Sequence, residues 1–192
     1  MSSRNEVLAR IRGALDRTEG DAVPAPPPVR LTPHAEFDRV RRFTDALTAL
    51  GGSVIEVAGA SQAREQLDMM LAGKTFVSFD EDFSRDACSA AEIGVSSPQY
   101  ALADTGTLVF LTESGEARLI SLLPPRHIAV IERDRILSSL DQLLSMVPKP
   151  GANSSAMVLI TGPSRTADIE MRLVRGVHGP GEVTVMIVNV TV

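Results

Sequence analysis

Between Ser53 and Phe79 the chain reads SVIEVAGASQAREQLDMMLAGKTFVSF. SVIEV at 53–57 has the composition of a strand. SQAREQLDMMLAG at 61–73 follows as a helix, with Ser61 placed to cap it and Gly73 to stop it. KTFVSF at 74–79 returns to strand. A strand, a helix and a second strand in so short a span is the unit from which parallel sheets are built.

Upstream, Phe37, Val40, Phe43, Leu47 and Leu50 recur on one face of a helix that Gly51-Gly52 ends. Residues 3–17 form another helix on Val7, Leu8, Ile11 and Leu15, with Ser2 or Ser3 as its cap. The proline-rich stretch EGDAVPAPPPVR at 19–30 then forces an extended connector. Two parts are therefore expected: a helical arm with its connector at 1–32, and one α/β domain at 33–192.

Downstream, YALADTGTLVFLT (100–112) and ARLISLL (117–123) enclose the turn ESGE, which predicts two or three strands over 99–122, partly antiparallel. HIAVI at 127–131 reads as a strand and 134–147 as a helix. AMVLIT (156–161) and EVTVMIVNV (182–190) are apolar enough to be strands buried on both faces. The fold class expected is α/β: a mixed, mainly parallel sheet with helices on both faces, plus the N-terminal helical arm.

Of the 192 residues 44% are hydrophobic and 22% charged, with a formal charge of −5, which argues against a surface built for nucleic acid. The arginines at 39, 41 and 42 read as a solvated helix face. No apolar run reaches the ~20 residues of a membrane span. The first residues are charged throughout and lack a signal core, so a cytoplasmic location is expected. Cys88 is the single cysteine and reads as a packed small residue. It rules out an internal disulfide and an iron–sulfur cluster held by this chain's own thiolates. His34, His127 and His178 show no metal-ligand spacing, so no metal is expected.

Two polar constellations stand out. TGPSRTADIEMRLVRGVHGPGEV (161–183) sets an amphipathic segment between two Gly-Pro pairs. Pro163 ends a strand, and Ser164 or Thr166 can cap a helix on Ile169, Leu173 and Val174 that closes at Gly176. Asp168 falls in its first turn. If 156–161 and 182–190 are parallel neighbours, the loop from Gly162 to Thr166 lies at the carboxyl edge of the sheet. Its N–H groups and Arg165 then suit a carboxylate or phosphate. Plain punctuation is the other reading of the same residues. A ten-residue helix is ~15 Å long, which would carry His178 away from Ser164. His178 itself stands between a structural and a functional role. The second constellation is Asp104-Thr105-Gly106-Thr107, either a tight turn or a carboxylate and hydroxyls gathered at a close backbone approach. Arg126 could hold an anion or be a solvated turn residue.

LARIRGAL (8–15), ADTGTLV (103–109), RLISLLPPRHIAVI (118–131) and TGPSRTADIEMRLVRGVHGP (161–180) together resemble the lactate utilisation protein C family, the small LUD-domain proteins. The resemblance covers essentially the whole chain, and its last segment is the most specific. It implies the NagB/RpiA/CoA transferase-like fold and a part in oxidising L-lactate to pyruvate beside two iron–sulfur proteins, with no cofactor in this chain. It also implies a recurrent polar set: Asp104, Thr105, Gly106 and Thr107; Gly162, Ser164, Thr166, Asp168 and Glu170; His178 and Gly179. In a lactate site, Asp104 or His178 would be the base and the 162–166 segment with Arg165 the carboxylate donors. The alternatives are a stand-alone sugar-phosphate isomerase or CoA transferase-like enzyme, with Glu113 or Glu170 as available carboxylates, and a non-catalytic scaffold.

Overall fold

The structure, a computed structural model, describes residues 3–18, 38–79, 84–112, 116–147, 156–166, 174–176 and 178–189. It divides into two units, residues 1–30 and 31–192. In the first, helix α1 (Ser3–Ala14) begins at Ser3 itself and buries none of its residues. Ser2 and the proline-rich connector lie outside the described residues.

The second unit opens with α2 (Arg39–Ala49), capped by the Asp38 carboxylate, which accepts from the N–H groups of Val40 and Arg41 at 3.1 and 3.4 Å. Its inward face is Val40, Phe43 and Leu47, as the helical spacing requires. Phe37 lies outside the described residues. β1 (Ser53–Val57), α3 (Ala60–Leu71) and β2 (Phe76–Ser78) then form the expected crossover. The cap differs from expectation: Gly59 precedes α3 and Ser61 sits inside its first turn, so no side chain caps the helix. The Gln62 side chain instead accepts from the Ala58 N–H at 2.7 Å. α4 (Arg85–Ala90), capped by Ser84, leads to β3 (Ile93–Ser96).

β4 (Tyr100–Leu102) and β5 (Thr107–Thr112) pair antiparallel, as expected for 99–122. Residues 117–123 depart from the strand expectation. Glu116–Ser121 is a 3₁₀ helix whose Ile120 carbonyl closes directly on Gly94, where a side chain would collide. β6 (Arg126–Glu132) matches the predicted strand. The helix predicted over 134–147 shortens to α5 (Leu140–Met146), behind a 3₁₀ turn (Arg133–Arg135) and β7 (Ile136–Leu137). Ile136 and Leu137 are both buried, one in each of two different clusters. A strand sends adjacent side chains to opposite faces, so pairing with β4 overrides the helical pattern here.

β8 (Ala156–Thr161), β9 (Arg165–Thr166), β10 (Val174–Arg175) and β11 (Glu182–Val188) complete the chain. The mainly parallel architecture is a five-stranded sheet, all parallel, in the order β1-β11-β6-β3-β2. β11 is an inner strand, between β1 and β6, and is buried throughout from Val185 to Val188. β8 is not its neighbour. It pairs antiparallel with β5 at the edge of a second, four-stranded sheet, β7-β4-β5-β8, and is only half-buried. α3 covers one face of the parallel sheet through Ala63, Leu67 and Met70. α2 and the inner face of the second sheet cover the other. α5 packs on the second sheet's outer face through Leu143.

Candidate functional site

The two ends of the segment that the sequence suggested as a helix pair with each other, while residues 167–173 lie outside the described residues. Arg165 and Thr166 pair antiparallel with Arg175 and Val174. The Ser164 N–H donates to the Pro180 carbonyl at 2.9 Å, and the Gly176 N–H donates to the Ser164 carbonyl at 3.1 Å. Its two ends are therefore side by side. A Cβ placed on Gly179 would lie 3.2 Å from the Ser164 Cβ. His178, one residue earlier and exposed, is thus within roughly 10 Å of Ser164. The separation expected from a straight helix does not arise, because β9 and β10 bring the chain back on itself.

The edge of the sheet is also the other one. Gly181 and Glu182 hydrogen-bond to the Pro125 carbonyl, ahead of the first residues of β11 and β6. The Gly162–Ser164 loop therefore sits at the amino edge of the parallel sheet. The expectation of a carboxyl-edge site fed by a helix N-terminus fails because β8 belongs to the antiparallel sheet. With the Ser164 N–H bonded to Pro180 and no N–H on Pro163, donors at this loop come chiefly from side chains.

The second constellation joins the first. Asp104-Thr105-Gly106 is the turn between β4 and β5, held by Ala103 and Asp104 N–H groups donating to the Leu137 and Ser138 carbonyls. Thr107, at the start of β5, stands opposite Thr161, at the end of β8. Their hydroxyl oxygens are 2.9 Å apart, and Thr107 is 2.7 Å from Thr105, which donates to the Asp104 carboxylate at 3.3 Å. Each hydroxyl has one proton to give, so the Thr105 bond to the acceptor-only carboxylate sets the direction of the row. Thr161 donates to Thr107, Thr107 to Thr105, and Thr105 to Asp104. Asp104 is half-buried, Thr105 exposed and Thr107 buried.

Two motif glycines hold this arrangement against α2. Gly106 (φ +65°) faces backbone atoms of Ala46 and Leu47, and Gly162 (φ +74°) faces the Leu50 side chain. The last turn of α2 thus seats both loops. Sequence reasoning missed Thr161 and this helix end. The only local signal was that Thr161 directly precedes Gly162-Pro163.

Asp104, Thr105, Gly106, Thr107 and Gly162 are brought together, and Ser164 is brought to Gly179 and His178. Arg165 is exposed on β9, and Thr166 takes part in the β9–β10 pairing. Asp168, Glu170, Glu113 and His34 lie outside the described residues. Arg126 forms an exposed ion pair with Glu182 at 2.7 Å rather than presenting a free cation. Among the described residues no three His, Cys, Asp or Glu gather as a metal site. No helix of the described residues is long and apolar enough to cross a membrane. Cys88 is buried beneath Val77, Ala91 and Ile120, and burial pushes its thiol pKa up.

His127 is a further buried polar group. Its Nε2 lies 2.7 Å from Ser96 Oγ, its ring packs near Phe110, and its Nδ1 has no partner. Burial lowers its pKa to about 4, so the ring is neutral at ordinary pH.

A family model described as the LUD domain matches residues 75–188, the span from the approach to β2 through β11. Lactate utilization protein C of Anoxybacillus flavithermus is 34% identical over 147 residues, covering 74% of this chain and 66% of the relative. Lactate utilization protein C of Halalkalibacterium halodurans is 40% identical over 94 residues, covering 47% of this chain and 41% of the relative. The matched parts thus span two thirds or less of these relatives. A solved DUF162 family protein from Deinococcus radiodurans shares the fold, with a TM-score of 0.61 at 17% identity over 82% of this chain and 100% of that one.

Proposed function

Because the chain belongs to the LUD domain family, we propose that it serves in bacterial lactate utilisation, supplying a small-anion site or docking surface to a lactate-oxidising assembly. Lactate becomes pyruvate by losing the hydrogens of its C2–H and O–H, as two protons and two electrons. Iron–sulfur partner proteins would take the electrons, since one buried cysteine cannot hold such a cluster. In this reading the chain carries no redox cofactor of its own, and its contribution is to bind the carboxylate and handle a proton.

The observation that carries the reading is the row of hydroxyls from Thr161 to the Asp104 carboxylate. It joins the two polar constellations at one edge of the sheet. Asp104 is oriented as a base by Thr105, which leaves its second oxygen available to a substrate hydroxyl. Ser164 and Arg165 offer a hydroxyl and a guanidinium to a carboxylate, with His178 beside them as a second candidate base.

The test uses the full chain with its partner proteins. Asp104→Asn should lower lactate oxidation by about a hundredfold, the scale of a lost general base, and Ser164→Ala should raise the lactate concentration needed. Lactate-dependent growth and lactate oxidation left intact by both substitutions would remove the site assignment.

A further inference from the structure

The hydroxyl row lies at the amino edge of the parallel sheet, yet the large cavity lies elsewhere. It has a volume of about 760 Å³ and runs along α3, from the carboxyl ends of the central strands to Phe76, the first residue of β2. Ser97, Pro98 and Gln99 follow β3, Glu132 ends β6 and Val188 ends β11, and all five border it. Open α/β sheets take their ligands at this edge, and the volume falls within the ~300–1,000 Å³ of small-molecule sites. None of the recurrent polar residues that the family resemblance implied lines this cavity.

Its lining has an order along α3. Ala60 and Arg64 stand at the helix start, Asp68 one turn further on, then Leu71, with Phe76 beyond the helix. Arg64 is exposed and makes no ion pair among the described residues. The other lining arginine, Arg135, is already paired with Glu132 at 3.4 Å. Arg64 is therefore the cation open to an incoming anion. Gly59 leaves the first turn of α3 without a side-chain cap, which adds positive character at the same end. Asp68 lies ~6 Å along the axis from Arg64 and Leu71 ~10 Å from it. Phe76, a residue 41% exposed, continues that apolar end. An anion site, a hydrogen-bond acceptor and an aromatic wall thus succeed one another on the scale of a phosphate, a sugar and a base.

We propose that this cavity binds a nucleoside monophosphate, with its phosphate at Arg64, its ribose hydroxyls at Asp68 and its base against Leu71 and Phe76. A carboxylate that accepts from ribose hydroxyls and an aromatic face that stacks a base are familiar means of holding such a ligand. The site is independent of the lactate reading, since it shares no residue with the Asp104 row.

Calorimetric titration of the full chain with AMP, adenosine and inorganic phosphate tests it. AMP should bind more tightly than either fragment. Arg64→Ala, an exposed helix position whose folding circular dichroism can verify, should weaken AMP about tenfold or more and leave adenosine unchanged. Phe76→Ala should weaken AMP and adenosine alike. Absence of AMP binding at millimolar concentration, or equal AMP affinity in the Arg64→Ala protein, overturns the proposal. So does concentration-dependent self-association that AMP does not reverse and Leu67→Asp abolishes, because the cavity would then be a contact between copies.

Discussion

Thr107 and Thr161 stand opposite each other on β5 and β8, with their hydroxyl oxygens 2.9 Å apart. They are 54 residues apart in sequence, yet this contact links the Asp104 turn to the Gly162–Ser164 loop.

Replacing Thr107 by Val keeps the shape and removes the middle hydroxyl of the row. The change should cost about 1–2 kcal/mol, because Thr105 and Thr161 each lose a partner. Thr161→Val should cost less, since that side chain is exposed. Urea unfolding of both single variants and the double variant would show a coupling energy of ~0.5 kcal/mol or more. Strict additivity would mean that the hydroxyls do not act as a row.

Gly106→Ala and Gly162→Ala both place a Cβ where φ is positive and α2 is in the way. The left-handed backbone alone costs about 1–2 kcal/mol. At Gly106 the obstacle is the backbone nitrogen of Leu47 at 2.6 Å, and at Gly162 it is the movable Leu50 side chain at 2.9 Å. Gly106→Ala should therefore destabilise more than Gly162→Ala, by ~1 kcal/mol or more given the usual cost of overpacking. Midpoints of chemical denaturation decide the order.

His127 should make the protein acid-sensitive. Its folded pKa of about 4 is below the ordinary 6.5, so the unfolded chain binds the proton more readily between those values. Its stabilising contribution is complete above pH 6.5 and is lost as pH falls toward 4, up to about 3 kcal/mol. His127→Gln should be less stable at pH 7 yet flatter in stability between pH 6.5 and 4. Equal slopes for the two proteins in that window would show that the ring does not titrate there.

Cys88 should resist alkylation by iodoacetamide in the native protein and react at an ordinary rate in urea. It is fully buried, and its thiol is held protonated by that burial. Labelling followed by mass spectrometry separates this from a reactive thiol, which would label within minutes without denaturant.

Much of the fold was legible because its signals are local. The β1–α3–β2 crossover follows from the run of residue types between Ser53 and Phe79, and the β4–β5 hairpin from two apolar runs around a polar turn. The Gly51-Gly52 stop after α2 needed only glycine's freedom at positive φ, which Gly51 uses at 87°. Ile136 and Leu137 were misread because adjacent apolar residues suit a helix face as well as a two-sided strand. Pairing with Ala101 and Leu102 was the deciding contact, and it lies 35 residues away.

The candidate site divides in the same way. The sequence by itself determined which residue types were present at Asp104–Thr107 and Gly162–Ser164, and the positions at which only glycine and proline would serve. Their placement was decided by tertiary structure. Whether β8 joined β11 or β5 depended on burial and pairing across the whole domain, since an apolar strand can satisfy its hydrogen bonds in either sheet. Its place beside β5 put the loop at the amino edge, set Thr161 against Thr107, and left the carboxyl-edge cavity to α3. Backbone hydrogen bonds carry no label for their partner. Residue types therefore determined the local chemistry, and long-range packing determined which of those residues meet.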